Sequence, residues 1–273
     1  SLVINHGKKY LKKIMESLLK RIEAIPGKCI LESELSTSLI SQVYLCRFND
    51  IKAVIRFDSP PASKLAIDRE NEVNLLKNIM HLDLSPMLLY SNQSAGIMIW
   101  KYIAGTKPTF DKNISNTYSL KELGRSLYSI HSSSIPQNSK NIFLDSMSLY
   151  KDLLSDTSNK ILIQEASDLY DDLVDDGVKK ILSHNDLHSK NIIWNSQYYF
   201  LDWEYAGKNH PCFDIASLMR SFELNADQVN DLYIGYGHNQ EFFDINILQK
   251  WMKFIGLLEQ VWEISLTKII KKL

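Results

Sequence analysis

Cysteine is scarce in this chain of 273 residues, which contains only Cys29, Cys46 and Cys212. These form neither a closely spaced pair nor an even set, so the sequence does not indicate a disulfide framework. Reduced thiols are typical of proteins inside the cell, where disulfides are rare. We therefore expect a cytoplasmic protein.

Long apolar runs and a strong net charge are also lacking. No run approaches the roughly 18 apolar residues of a membrane-spanning helix, and residues 1–15 lack the uninterrupted apolar region of a signal peptide. The formal net charge of -1 gives no general attraction to nucleic acid or acidic membranes. We expect neither of these as a partner, and the oligomeric state stays open.

Short β segments dominate the first hundred residues. The runs "KCILESEL", "SQVYLCRF" and "KAVIRF" within residues 28–57 predict about three antiparallel strands, joined by polar turns such as Asn49-Asp50. Apolar residues at helical spacing predict helices over residues 8–24 and 64–80, and "MLLYS" and "AGIMIWKYI" predict two more strands.

Helices predominate after a loop at residues 105–108. The later predicted helices cover residues 117–131, 145–175 (in one or two pieces), 212–223, 226–236 and 246–270. We therefore predict an α+β fold with a sheet-rich N-terminal lobe over residues 1–103 and a mostly helical C-terminal lobe over residues 104–273.

Polar side chains are dense in "LSHNDLHSKNIIWNSQYYFLDWEYAG", residues 182–207. Titratable groups are costly to bury beside apolar residues, so their density here points to function. The runs "NIIWN" and "YYFLDW" flank a turn at residues 196–197, and their pairing would bring Asn191 and Asp202 together. An amide oxygen beside a carboxylate suits Mg²⁺, and Asp186 can accept a proton from a substrate hydroxyl.

Zinc is an alternative for the same segment, because His184, Asp186 and His188 alternate as metal ligands sometimes do. Zinc sites require three or four protein ligands, and no neighbouring Cys or His-rich stretch completes the set. A zinc hydrolase also leaves Asn191 and Asp202 without a role. The sequence therefore favours Mg²⁺ and phosphoryl transfer.

Two stretches of this segment resemble a known family. "HNDLHSKN" resembles the catalytic loop His-x-Asp-x-x-x-x-Asn of kinases, and "LDWEYAG" resembles their metal-binding aspartate segment. Their order and spacing are similar to those of the aminoglycoside phosphotransferase and choline kinase superfamily. The "DWEYAG" form most resembles bacterial choline, ethanolamine and thiamine kinases, and the resemblance extends over roughly residues 28–223.

The resemblance implies a two-lobed, protein-kinase-like α+β fold with ATP in the cleft and transfer of the γ-phosphoryl group to a small-molecule hydroxyl. Asp186 would be the catalytic base, Asn191 and Asp202 the Mg²⁺ ligands, and His184 a residue that braces the loop. Asp214, in "PCFDIASLM", would cap the next helix and brace the catalytic loop.

The resemblance also implies a nucleotide site. Arg56 in "AVIRF" would bind phosphate through its guanidinium group, and Glu72, or less readily Glu70, would hold Arg56 by an ion pair. "IWKYIAG" resembles the hinge that meets the adenine edge. The predicted contacts to the base are Lys101, Tyr102 and Ile103 in the hinge, with Ile193 lining the pocket from below.

The predicted phosphate loop departs from the family pattern because residues 37–41 contain no glycine. Glycine permits positive φ angles and close backbone approach to phosphate. Here the hydroxyl groups of Ser38 and Ser41 would act as donors instead. The choice between ATP and GTP stays open, and a nucleotide-binding pseudokinase without turnover is a second hypothesis.

The acceptor pocket is predicted beside Asp186, around Trp203, Glu204 and Tyr205. Aromatic faces with a carboxylate suit a cation, so choline, ethanolamine or thiamine ranks above an aminoglycoside, while sugars and homoserine remain open. Trp251 and Trp262 are as consistent with a core position as with this pocket.

Overall fold

The computed structural model describes residues 18–59, 62, 65, 67–111, 118–137, 139, 141–155, 158–237 and 244–271. The described residues divide into two compact units, a sheet unit within Ser1–Ala62 and Leu88–Tyr102 and a helical unit within Ser63–Met87 and Ile103–Leu273. The segment 63–87 thus groups with the helical unit, whereas the predicted division at residues 103 and 104 placed it with the sheet.

The sheet unit contains five antiparallel strands in the order β1-β2-β3-β5-β4. The strands are β1 Cys29–Thr37, β2 Ser41–Phe48, β3 Ile51–Asp58, β4 Leu88–Asn92 and β5 Ile97–Lys101. A tight turn with positive φ at Asn49 and Asp50 joins β2 to β3, as the polar pair in the sequence predicts. The predicted strands are therefore confirmed.

One face of this sheet carries the unit's hydrophobic core. Cys46, Ile55 and Ile99 are fully buried there, together with Leu18 and Ile25 from the helical residues 18–23 and the turn after them. We name that described stretch α1. The remainder of the helix predicted over residues 8–24 lies outside the described residues.

The helical unit holds two small antiparallel ladders among its helices. Its helices are α2 Arg69–Ile79, α3 Leu120–His131, α4 Ile142–Leu154, α5 Lys160–Val174, α6 Pro211–Ser221, α7 Ala226–Tyr236 and α8 Ile245–Lys271. Its strands are β6 Ile181–Ser183, paired with β9 Gly207–Asn209, and β7 Ile192–Trp194, paired with β8 Tyr198–Phe200. The helices and the β7–β8 hairpin match the sequence predictions, with the 145–175 segment forming two helices, whereas the pairing of β6 with β9 was not predicted.

Helix α2 begins later than residue 64, where the prediction placed its start. The Asp68 side chain accepts the Asn71 N–H at 3.0 Å and caps the helix, so regular helix starts at Arg69. Side-chain oxygens at this position satisfy backbone donors that have no partner inside the helix.

Helices α3 and α7 approach closely because each presents a glycine to the other. A Cβ atom on Gly124 would overlap the Leu232 carbonyl oxygen, and one on Gly235 would overlap the Lys121 carbonyl oxygen. Their close packing places His131 of α3 beside Tyr236 of α7, with 2.6 Å between Nδ1 and the hydroxyl oxygen. In the described part of the chain, no helix combines the length and apolarity that crossing a membrane requires.

Candidate active site

Asp214 of α6 binds the backbone of the loop between β6 and β7. Its carboxylate accepts the backbone N–H groups of His184 at 2.7 Å and Asn185 at 2.9 Å. His131 Nε2 lies 3.0 Å from the same carboxylate. Burial alone would raise the pKa of Asp214, but the hydrogen bond and charge of His131, with the hydrogen bond from the His184 N–H, outweigh it and lower this pKa.

The predicted cap role of Asp214 is wrong, although its contact with the catalytic loop is as expected. The N-cap of α6 is His210, whose Nδ1 accepts the Cys212 N–H at 3.1 Å. Pro211 follows at the first helical position, where a missing N–H costs little. Asp214 lies one turn further along, which leaves both of its oxygens for the loop amides.

His184 is completely buried and uses both ring nitrogens. Nδ1 accepts the Asp186 N–H at 3.3 Å, and Nε2 donates to the Leu201 carbonyl oxygen at 2.8 Å. Burial lowers the pKa of His184 to about 4, so the ring is neutral at neutral pH. Neither nitrogen is left for zinc, and no group of three or more His, Cys, Asp or Glu side chains in the described ranges is arranged to hold a metal.

Asp186 is oriented by Asn191, five residues later. The Asn191 Nδ2 donates to the Asp186 Oδ2 and to its carbonyl oxygen, both at 3.0 Å. Burial first, and then the charges of Asp202 and Glu204, raise the pKa of Asp186 well above its ordinary value. A carboxylate whose pKa moves toward neutrality is a better proton acceptor for a hydroxyl group.

The β7–β8 hairpin brings Asn191 and Asp202 to the same end of the ladder. Ile192 pairs with Phe200, and the Leu201 N–H donates to the Asn191 carbonyl oxygen at 2.8 Å. Asp202 follows with a left-handed backbone, φ 62°, and is exposed. The sequence predicted this juxtaposition from the hairpin alone.

The donor set here fits Mg²⁺. Because the Asn191 amide nitrogen faces Asp186, its amide oxygen faces the other way. Together with the exposed Asp202 carboxylate it offers the oxygen ligands that Mg²⁺ prefers. The mutual repulsion that raises the pKa of Asp186 is also what a divalent cation would relieve.

The three predicted acceptor residues form one turn, Trp203–Tyr205, with different surroundings. Trp203 is only 1% exposed. Its indole N–H donates to the Phe200 carbonyl oxygen at 2.8 Å, and its ring lies 4.6 Å from that of His184. Trp203 therefore packs beneath the loop instead of facing solvent.

Glu204 and Tyr205 have partners that sequence reasoning missed. Arg69 Nη1 donates to Glu204 Oε2 at 2.7 Å, and the Trp262 indole N–H donates to the Tyr205 hydroxyl oxygen at 3.2 Å. The spacing of Arg69 and Glu72 in "DRENE" signals a helical pair, but no local pattern connects either residue to position 204.

The predicted phosphate ligand Arg56 lies in the sheet unit and is 4% exposed. Its Nε is 3.6 Å from Asp58 Oδ1, and its guanidinium carbon lies 5.8 Å from the centre of the Trp100 ring. Glu72, the predicted partner of Arg56, belongs to the helical unit, where Arg69 donates to it at 2.9 Å. The Arg56–Glu72 ion pair stays a prediction.

The glycine-free loop between β1 and β2 is organised by Ser38. Its Oγ accepts the N–H groups of Ile40 at 3.3 Å and Ser41 at 3.1 Å, and donates to the Ser41 carbonyl oxygen at 3.2 Å. The Oγ atoms of Ser38 and Ser41 are 3.3 Å apart. A serine hydroxyl therefore fixes a turn in which the family pattern has glycines.

The predicted hinge residues lie at the end of β5. Lys101 is its last residue, and the Tyr102 N–H donates to the Lys52 carbonyl oxygen at 3.0 Å. Lys52 Nζ also lies 4.3 Å from the centre of the Tyr102 ring. In the helical unit, Ile103 and Ile193 are half-buried, and Gly105 allows Ile193 to approach the backbone closely.

Comparison with known proteins gives one matching family model. The model described as choline/ethanolamine kinase matches residues 33–253. Among curated proteins, Protein LicA of Haemophilus influenzae is 23% identical over 242 residues, which cover 85% of this chain and 90% of LicA.

Solved structures show the same fold. The choline kinase LicA from Streptococcus pneumoniae superposes with a TM-score of 0.71 at 20% identity, covering 95% of this chain and 90% of that one. A structure of LicA in complex with AMP gives a TM-score of 0.72 at 20% identity, with the same coverage. These likenesses confirm the predicted kinase-like α+β fold.

Proposed function

Since the chain belongs to the choline/ethanolamine kinase family, we propose that it transfers the γ-phosphoryl group of ATP to the hydroxyl of a small cationic alcohol. Choline and ethanolamine are the first candidates, and thiamine is the next. The observation that carries the proposal is the cluster of Asp186, Asn191 and Asp202, in which a raised pKa and a fixed orientation suit Asp186 to proton acceptance.

Asp186 would orient the acceptor and take its proton. As the acceptor oxygen bonds to the γ-phosphorus, the bond from that phosphorus to the β,γ-bridging oxygen breaks, ADP leaves, and the hydroxyl proton passes to the Asp186 carboxylate. The Asn191 amide donates one hydrogen bond to this carboxylate and one to the Asp186 carbonyl oxygen, and together they fix the position of the carboxylate. Positioning of this kind supplies much of the rate in phosphoryl transfer.

Asn191 and Asp202 would hold Mg²⁺. When bound there, the ion neutralises the charge that develops on the phosphate oxygens. Of the two side chains, only Asp202 carries a charge, so its loss is expected to weaken metal binding more than the loss of Asn191.

The nucleotide contacts that we propose are those that the sequence resemblance implies. We assign phosphate binding to Arg56 with the hydroxyl groups of Ser38 and Ser41, and the support of Arg56 to Glu72. ATP is preferred over GTP because LicA has been solved with AMP. The adenine contacts are assigned to Lys101, Tyr102, Ile103 and Ile193.

Tyr205 and Trp262 support a cationic acceptor. Both side chains are half-buried, and they are joined by a hydrogen bond of 3.2 Å. Aromatic faces attract quaternary and primary ammonium groups, most strongly where water is partly excluded. Trp203 lies too deep to share this role, so we assign it to packing.

The test is a panel of hydroxyl acceptors with MgATP and MgGTP, monitored by release of ADP or GDP. Choline, ethanolamine and thiamine are compared with an aminoglycoside, a sugar and homoserine. We expect turnover with a cationic alcohol and a loss of about 10²–10⁴ in kcat for Asp186→Asn, as is typical when a general base is removed.

The exposed Asp172 of α5 provides the control, and Asp172→Asn should keep the wild-type rate. Full turnover by Asp186→Asn would refute its role as base. Nucleotide binding without transfer to any acceptor would favour the pseudokinase hypothesis, and turnover with the aminoglycoside alone would replace the cationic alcohol.

A further inference from the structure

An arginine with a mostly buried side chain connects the first turn of α2 to the turn that follows Asp202. Arg69 Nη1 donates to Glu72 Oε2 at 2.9 Å and to Glu204 Oε2 at 2.7 Å. The side chains of Arg69, Glu72 and Glu204 are 11%, 2% and 6% exposed. One cation thus lies between two carboxylates away from water, where loss of a single partner is costly.

The same end of α2 holds the turn at a second point. Asn71 Nδ2 donates to the Ala206 carbonyl oxygen at 2.9 Å, two residues beyond Glu204. The Asn71 N–H is in turn bonded to the Asp68 cap. The first turn of α2 therefore fixes the chain on both sides of Tyr205.

Asp202 depends on a fixed turn because its own backbone is unfavourable. Its φ of 62° lies in the left-handed region, which is costly for a residue with a Cβ atom and persists where the surroundings impose it. Phe200 and Trp203 fix the approach to the turn, through the indole hydrogen bond. Arg69 and Asn71 fix the end of the turn, through their hydrogen bonds to Glu204 and Ala206.

We propose that Arg69 is a positioning residue for Asp202, and that Glu204 serves the ion pair with Arg69 instead of contacting the acceptor. This inference rests on the proposed function, because it takes Asp202 as a Mg²⁺ ligand. Groups that orient a metal ligand from behind typically change metal affinity about 10–100-fold when they are removed.

The test measures Mn²⁺ binding in the presence of ADP, by the electron paramagnetic resonance signal of free Mn²⁺, beside steady-state kinetics. We expect Arg69→Met and Glu204→Gln each to weaken Mn²⁺ binding about 10–100-fold and to raise the half-saturating Mg²⁺ concentration, with the KM of the acceptor within about twofold. The double variant should bind Mn²⁺ no more weakly than Arg69→Met, because Arg69→Met already removes the contact with Glu204. Arg69→Lys should restore part of the affinity.

Lys253→Met is the matched control, since it removes a solvent-exposed ion pair of 2.8 Å with Glu165. It should bind Mn²⁺ as the wild type does. Unchanged Mn²⁺ affinity in both single variants would overturn the proposal. A tenfold rise in the acceptor KM of Glu204→Gln at wild-type Mn²⁺ affinity would overturn it as well, in favour of acceptor contact.

Two further outcomes are distinguishable. If Arg69→Met does not fold, Glu204→Gln and Arg69→Lys decide the question, because both keep the shape of the buried site. If the wild type transfers no phosphoryl group, the proposed function fails, while the Mn²⁺ series still decides whether Arg69 positions Asp202.

Discussion

At the scale of single residues, the loop that carries Asp186 depends on a histidine that must stay neutral. His184 Nδ1 accepts the Asp186 N–H, so a proton on Nδ1 removes that acceptor. Burial keeps the ring neutral by lowering its pKa from 6.5 to about 4. The hydrogen bond to the Asp186 N–H is therefore kept until the pH falls to about 4.

The difference between the pKa of His184 in the unfolded chain and in the folded protein predicts that the protein loses stability in acid. In the unfolded chain His184 takes up a proton below about pH 6.5, whereas in the folded protein it does so only near its pKa of about 4. Stability is therefore complete above pH 6.5 and falls as the pH drops from 6.5 to 4, by about 3 kcal/mol from this residue. Urea unfolding across this range measures it.

His184→Gln should remove about 3 kcal/mol from the loss of stability between pH 6.5 and pH 4, because glutamine does not titrate. His81 is exposed, so His81→Gln should keep the wild-type slope. Equal slopes in the wild type and His184→Gln would show that another group causes the fall.

Sequence reasoning at this scale found residues whose relation is local. Asp186 and Asn191 are five residues apart in one loop, and the hairpin relates Asn191 to Asp202, so spacing alone predicts that they meet. Arg69 and Glu204 are 135 residues apart, and their contact depends on how α2 packs. No pattern in either segment carries that information.

At the scale of elements, the crossing of α3 and α7 supports the site indirectly. The crossing holds His131 against Tyr236, and His131 reaches Asp214 beneath the loop. Its closeness requires glycine at both contact points, Gly124 and Gly235.

Gly124→Ala should therefore lower the free energy of unfolding by about 1–3 kcal/mol, the usual cost of overpacking. Thermal unfolding should show a lower Tm, because the new methyl group meets the backbone oxygen of Leu232, which cannot move aside as a side chain can. Ser129→Ala, at a half-buried position of the same helix where only a hydroxyl group is lost, is the control. A Tm for Gly124→Ala at or above that of the wild type would contradict the close packing.

The hydrophobic pattern predicted nearly every element, but helix starts were less predictable. Helix α2 starts at Arg69 because Asp68 caps it, and α6 is capped by His210 instead of Asp214. Several polar residues in each segment are chemically able to cap a helix. The backbone geometry that selects one of them depends on tertiary packing.

At the scale of the whole molecule, nucleotide binding should stabilise the fold more when the metal is also present. A ligand at 100 times its Kd adds about 2.7 kcal/mol. We expect ATP with Mg²⁺ to raise the Tm in thermal shift measurements more than ATP with EDTA does. Asp202→Asn should lose the Mg²⁺-dependent part, and Asp172→Asn should retain it. A full Mg²⁺-dependent rise in Asp202→Asn would contradict the assignment of Asp202 as a ligand.

The grouping of segment 63–87 with the helical unit has a consequence for protein synthesis. The sheet is built from two stretches of chain, so β3 is translated well before β5, its neighbour in the sheet. Arg69 is translated 135 residues before Glu204. At a translation rate of about 5–20 residues per second, Glu204 is added roughly 7–27 seconds after Arg69. The ion pair that fixes the turn after Asp202 can therefore form only after most of the polypeptide has been translated. This part of the structure is completed late when the chain folds during synthesis.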